Sequence, residues 1–155
     1  MAIQEGHTAP DIQLLDEAAQ PFQLSAHKGK DVVVYFYPKA DTPGCTKEAC
    51  EFRDAQKAFT RKNAAIVGIS PDKPAAHAKF AEKYSLPYTF VADPDHAIAE
   101  AYGVWKEKSM YGRKYMGIER TTFVIGPDGR VVEVLRKVKP ARHDELVLGA
   151  LEAAA

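Results

Sequence analysis

Cysteine is nearly missing from this chain of 155 residues, which holds two. A domain of that length buries enough surface to fold without disulfide staples, so the pair is not needed to hold it together. Net charge is missing as well. The 21 basic and 21 acidic side chains cancel, which removes the one-signed field that a nucleic acid or an anionic membrane would demand. There is no long apolar run: the longest, Val32 to Tyr37, is far too short to cross a bilayer. The opening MAIQEGHTAPD lacks the basic and apolar regions of a secretory signal. A soluble, cytoplasmic protein without nucleic-acid or membrane partners is expected. Close C-x-x-C pairs and paired histidines are absent too; His7, His27, His77, His96 and His143 are scattered and read as surface or capping residues, so no metal site is expected. No repeat, low-complexity tract or linker divides the chain, and one domain over residues 1–155 follows.

What is present alternates between strand and helix. Ile12 to Leu15 and Pro21 to Leu24 read as an N-terminal β-hairpin. Asp31 to Tyr37 is β-branched and aromatic without alternation, which suits a strand buried on both faces. From Pro43 to about Asn63, Ala49, Phe52, Gln56 and Phe59 recur at helical spacing, with Thr42 placed as N-cap and Pro43 as first helical residue. Ala64 to Ser70 reads as a second central strand, followed by a helix from Pro74 to Tyr84 with Asp72 as its candidate cap. Next come a strand from Tyr88 to Ala92, a short helix from Asp95 to Tyr102 and an irregular basic loop from Lys106 to Gly117. Thr121 to Ile125 and Arg130 to Val138 flank the turn Gly126-Pro127-Asp128-Gly129 and should pair as a hairpin; a helix from Ala141 to Ala154 closes the chain. With right-handed crossovers this order gives an α/β fold, a central mixed sheet flanked by helices, in the thioredoxin-like arrangement.

Both cysteines lie in Pro38-Lys39-Ala40-Asp41-Thr42-Pro43-Gly44-Cys45-Thr46-Lys47-Glu48-Ala49-Cys50, where the first central strand hands over to a helix. Open α/β sheets tend to place their sites at that end of a strand. Cys45 falls in the first helical turn, where unpaired N–H groups and the positive end of the dipole favour an anion. Such positions can bring a thiol from a pKa of about 8.5 down to roughly 3.5–7.5. Cys50 lies about a turn and a half further on, with its Cα roughly 8.7 Å away on an ideal helix. Bridged cysteines need Cα atoms within about 7 Å, so a bond between these two requires the helix to unwind. Two unrelated buried thiols on an amphipathic helix remain the plain alternative.

The spacing of Pro38, Thr42, Cys45 and Cys50 resembles the peroxiredoxins, and within them the peroxiredoxin Q branch, also called bacterioferritin comigratory protein. The likeness runs through YFYPKADTPGCTKEAC, GISPDKPAAHAKFAEKYSLPYTFVADPD, AYGVWKEK and YMGIERTTFVIGPDG in family order. The resemblance implies a thiol peroxidase, with Cys45 as peroxidatic and Cys50 as resolving cysteine joined in an intramolecular disulfide. It implies that Thr42 bonds thiolate and peroxide through its hydroxyl, that Pro38 shields the thiolate from water, that Arg120 reaches the site from a distant strand, and that Glu48 orients the arginine. Hydrogen peroxide or organic hydroperoxides would be the substrates, thioredoxin or a similar dithiol the reductant, no cofactor would be needed, and the molecule would be a monomer.

Each residue also has a bland reading. Arg120 could be a strand-end arginine in a surface ion pair, Thr42 a mere cap, Pro38 a strand terminator and Glu48 a first-turn acid facing the dipole. Two other functions stay open on the same fold: a general disulfide reductase, weakened by the lack of a two-residue C-x-x-C spacing, and a redox-sensing or chaperone module.

Overall fold

The computed structural model of the protein describes residues 3–136 and 143–154. Its middle is the apolar run read as a doubly buried strand, β3 (Asp31–Phe36). Val32, Val34 and Phe36 enter one hydrophobic cluster, with Ile12, Ile69, Tyr102 and Phe123. Val33, Tyr35 and Tyr37 enter a second one on the opposite face, with Phe52, Phe59, Phe80 and Phe90. A strand without polar alternation is what two covered faces require.

Around it lie β1 (Gln13–Asp16), β2 (Pro21–Gln23), β4 (Ala64–Ser70), β5 (Thr89–Ala92), β8 (Thr121–Ile125) and β9 (Val131–Leu135), with β6 (Trp105–Met110) and β7 (Arg113–Ile118) apart. The large sheet has seven strands in the order β2-β1-β5-β4-β3-β8-β9. β3, β4 and β5 run parallel, while β1 and β8 join antiparallel on either side. The N-terminal hairpin therefore extends the sheet through β5. This is the expected mixed sheet of the thioredoxin-like fold.

The cluster beneath β3's odd-numbered side chains is covered by α1 (Pro43–Asp54), α2 (Gln56–Arg61), α3 (Pro74–Tyr84) and α5 (His143–Ala154), and α4 (Ala97–Ala101) lies on the other side. Gly68 of β4 sits in register between Tyr35 and Phe90. A Cβ there would stand 2.9 Å from the Phe90 ring and 3.0 Å from Tyr35, so only glycine lets the two rings close over the strand.

The structure departs from expectation in two elements. The long helix breaks at Ala55, whose N–H is shared between the carbonyls of Glu51 and Arg53; the bend lays Phe59 against Phe52 with ring centroids 5.7 Å apart. Lys106 to Gly117 is not an irregular loop. It forms the β6–β7 hairpin, closed by Tyr111 and Gly112 at φ of +52° and +78°, the left-handed pair that a two-residue turn of type I′ needs. Its strands are mostly exposed and mix charged with aromatic and methionine side chains, so no apolar alternation marks them; the Tyr-Gly step is the available signal. The expected end of β9 at Lys137 and Val138, and the helix start at Ala141, lie outside the described residues.

Candidate active site

The site begins where β3 ends. Tyr37 continues the strand, donating its N–H to the carbonyl of Ile69 at 3.0 Å, and half-buried Pro38 turns the chain away. Asp41 takes a left-handed conformation at φ +60°. Thr42 is extended at the N-cap position, with Pro43 at the start of α1. That proline suits a position whose N–H would have no helical acceptor. The turn places Cys45 in the first turn of α1, facing inward with 2% of its surface exposed.

Thr42 corrects one expectation. It occupies the cap position but its side chain does not cap the helix. Its Oγ1 donates instead to the carbonyl of Lys39 at 2.9 Å. With its proton held there, the hydroxyl presents oxygen lone pairs to any further donor.

Arg120, in the link between β7 and β8, brings a cation from far along the chain. Its Nη2 donates to Cys45 Sγ at 3.2 Å, and its Nη1 to Glu48 Oε1 at 2.8 Å. Glu48 is fully buried, and Arg120 keeps 16% of its side chain exposed. Burial works against the guanidinium charge, but Glu48 and then Cys45 more than offset it and hold the group above its already high ordinary value. Arg120 is thus no surface arginine. Nor is Glu48 a first-turn acid: it lies beyond that turn, buried beneath the guanidinium. A fixed fork of donors split between a carboxylate and a sulfur orients the arginine in a way that a lysine could not reproduce.

Cys45, Glu48 and Arg120 are therefore brought together, and Pro38 and Thr42 lie in the loop leading into them. Cys50 is a free, half-buried thiol on the same unbroken helix as the free thiol of Cys45. The helix rests on a bed of aromatic rings. Tyr88 donates its hydroxyl to the carbonyl of Ala49 at 2.9 Å, its oxygen lies 3.0 Å from that of Tyr35, and Tyr35 stacks on Phe52.

Several residues around the site were not singled out from the sequence. His77, expected as a surface or capping residue, is fully buried and bonded to Tyr37 and Ser70. Asp72 does not cap α3, where Lys73 holds the cap position; its carboxylate turns to Ser70 Oγ and to the N–H of Ala40. Lys108, read as part of a solvated basic loop, is half-buried with its methylenes beside Gly117. Burial, then the charge of Arg120, hold its ammonium below the ordinary value while Cys45 pulls the other way. The signal for all three was spatial, since each lies far along the chain from the cysteines.

Residues 6–134 match the AhpC/TSA family. The chain is 48% identical to the peroxiredoxin Bcp of Bacillus subtilis over 92% of this chain and 91% of that one. It is 41% identical to the peroxiredoxin Bcp of Escherichia coli, over 97% and 96%. Among solved structures, a cysteine-to-serine variant of Xanthomonas campestris peroxiredoxin Q superposes with a TM-score of 0.91 at 40% identity, covering 99% of this chain and 98% of that one. The bacterioferritin comigratory protein of the same organism, studied for its alkyl peroxide reduction activity, gives 0.90 at 39% identity, covering 98% and 97%. Together with a buried cysteine under an arginine at the head of α1, these similarities establish that the chain belongs to the AhpC/TSA family, in its peroxiredoxin Q or Bcp branch.

Proposed function

We propose that the chain is a thiol peroxidase that reduces hydrogen peroxide and organic hydroperoxides through Cys45. The observation that carries this reading is the 3.2 Å contact between Arg120 Nη2 and Cys45 Sγ, inside a site where the sulfur is 2% exposed. The Cys45 thiolate attacks the terminal oxygen of the hydroperoxide. As the new S–O bond forms the O–O bond breaks, leaving a sulfenic acid on Cys45 and an alkoxide or hydroxide that takes up a proton. Negative charge grows on the departing oxygen, and a fixed guanidinium in a water-poor site lowers that barrier. Thr42 can accept a hydrogen bond from the peroxide, because its own proton is committed to Lys39. Pro38 walls the sulfur from solvent, and Glu48 aims the arginine.

Cys50 then attacks the sulfenic sulfur, releasing water and forming the Cys45–Cys50 disulfide. Both cysteines sit on one continuous helix, so α1 must open between them, and the Tyr88 bond to Ala49 lies within the segment that moves. An external dithiol, thioredoxin by family likeness, returns both thiols and becomes oxidised itself. We read the molecule as one domain over residues 1–155 acting as a cytoplasmic monomer; no helix among the described residues is long and apolar enough to cross a membrane.

Rapid mixing of the reduced protein with substoichiometric hydrogen peroxide, followed by intact mass and peptide mapping of the thiols, tests the reading. Cys45→Ser should abolish peroxide consumption. Cys50→Ser should keep one fast turnover and accumulate sulfenic acid, going on to sulfinic acid only when a second equivalent of peroxide is added. Equal, slow reaction in wild type and both variants would refute the assignments. With reductant present, turnover beyond one disulfide per molecule separates an enzyme from a sensor.

A further inference from the structure

Beside the site runs a chain of largely buried polar groups that the peroxide chemistry leaves unused. Tyr37 Oη lies 2.8 Å from His77 Nδ1, and His77 Nε2 lies 3.2 Å from Ser70 Oγ. Ser70 Oγ donates to Asp72 Oδ2 at 2.6 Å, and the same oxygen accepts the N–H of Ala40 at 2.8 Å. Ser70 and His77 are fully buried.

The proton positions follow from counting donors. Ser70 has one hydroxyl proton and gives it to Asp72, so the proton between Ser70 and His77 must come from Nε2. Nδ1 is then a lone pair and accepts from the Tyr37 hydroxyl. Burial keeps His77 readily neutral, in keeping with one protonated ring nitrogen. The wire therefore runs in one direction, from Tyr37 through His77 and Ser70 to Asp72. Serine, histidine and aspartate here form no hydrolytic triad, since the serine is sealed from solvent and its proton faces a carboxylate.

Both ends of the wire grip the active-site loop. Tyr37 immediately precedes Pro38, and Ala40 follows it by two residues. The carbonyl between them, that of Lys39, holds the Thr42 hydroxyl. A second, exposed clamp fixes the next residue: Asp41 accepts from Lys83 Nζ at 2.9 Å and from Tyr84 Oη at 2.8 Å. His77, Lys83 and Tyr84 all belong to α3. Tyr84 also offers its carbonyl to Arg53 Nη1 of α1 at 2.7 Å.

We propose that the Tyr37–His77–Ser70–Asp72 network is a positioning device that clamps the Pro38–Thr42 loop in its peroxide-reactive arrangement and so sets how readily the Cys45 segment opens for Cys50. The inference rests on Cys45 being the peroxide-reacting thiol. Loss of the clamp moves the two steps in opposite directions. The peroxide step needs Thr42 and Pro38 fixed around the sulfur and slows when they drift. The resolving step needs the segment to open and quickens.

The test uses the reduced full chain. Rapid mixing with hydrogen peroxide and quenched-flow thiol mapping give separate rate constants for Cys45 oxidation and for Cys45–Cys50 disulfide formation, and a thermal melt is recorded for each variant. Asp72→Ala should slow oxidation by about tenfold and speed disulfide formation. Tyr37→Phe, which keeps the ring and drops one hydroxyl, should shift both constants in the same senses by less. Asp72→Asn should recover most of the wild-type behaviour, because an amide oxygen in the place of Oδ2 still accepts both the Ala40 N–H and the Ser70 hydroxyl. Unchanged rate constants in Asp72→Ala and Tyr37→Phe overturn the proposal, as does a parallel fall in both that tracks the melting temperature and is not recovered by asparagine. Wild-type protein whose Cys45 is left unoxidised by peroxide overturns the underlying reading of the site, and this one with it.

Discussion

The two faces of the central sheet are built on different terms. Beneath Val32, Val34 and Phe36 the contacts are largely those of apolar side chains, Ile12, Val67, Ile69, Val91 and Ile125 among them, and the hydroxyl of Tyr102 in that cluster is tied off on the carbonyl of Pro10 at 2.6 Å. Beneath Val33, Tyr35 and Tyr37 the cluster is rich in rings, and hydroxyls, an imidazole and a buried carboxylate are threaded through or beside it. Apolar packing is non-directional and tolerates small changes of shape. Buried polar groups tolerate little, because each must keep a partner or cost free energy. Specificity is therefore stored unevenly: one face holds the fold up, and the other holds Cys45, Arg120 and the loop before α1 in one arrangement.

The largest effect should come from breaking the polar face at its charged centre. Arg120→Met removes the donor to Cys45 Sγ and the cationic partner of Glu48, and should lower the rate constant for peroxide by about 10² to 10³. Stopped-flow measurement under single-turnover conditions checks it; an unchanged constant would remove Arg120 from the chemistry. Next in size is Gly68→Val, which forces a side chain between Tyr35 and Phe90 where a Cβ alone would already stand 2.9 Å from the Phe90 ring. It should cost about 1–3 kcal/mol, read from chemical denaturation.

Much of this was legible in the sequence, and for identifiable reasons. β3 announced itself because a run of β-branched and aromatic residues has few other ways to be buried, and Thr42-Pro43 marked the start of α1 through local backbone preference. Cys45 followed from that start, since its position depends on counting along the chain. Arg120 was another matter. Alone it read as a surface arginine, and only the resemblance carried it to the site, because its partners Cys45 and Glu48 are more than seventy residues away. His77, Ser70 and Asp72 carry no local mark for the same reason: their bonds join β4 and α3 to the loop after β3. The β6–β7 hairpin leaves little trace in the sequence because an exposed ribbon has no apolar face to alternate.

The apolar face should answer differently to a small cut. Ile125 is 2% exposed in that cluster, and Ile125→Val should cost about 1 kcal/mol. For a chain of this size that lowers the melting temperature by about 2–4 °C. The rate constant of Cys45 with peroxide should stay at its wild-type value. A change in that constant would mean that the two faces are coupled more tightly than their packing suggests.

The smallest expected effect is a pH dependence that belongs to one face only. Burial holds His77 below its ordinary value of 6.5, against the opposing charge of Asp72. Between the folded value and 6.5 the unfolded chain binds the proton and the folded one does not, so stability rises with pH through that window. The contribution is complete above the unfolded value and is lost as pH falls toward the folded one. The melting temperature of the reduced protein should therefore decline as pH drops below about 6.5. His77→Leu should flatten the decline in that window, and Ile125→Val should lower the whole curve without changing its slope. A decline that persists in full after His77 is replaced would show that the histidine is not held neutral by its burial, and would place the acid sensitivity elsewhere in the molecule.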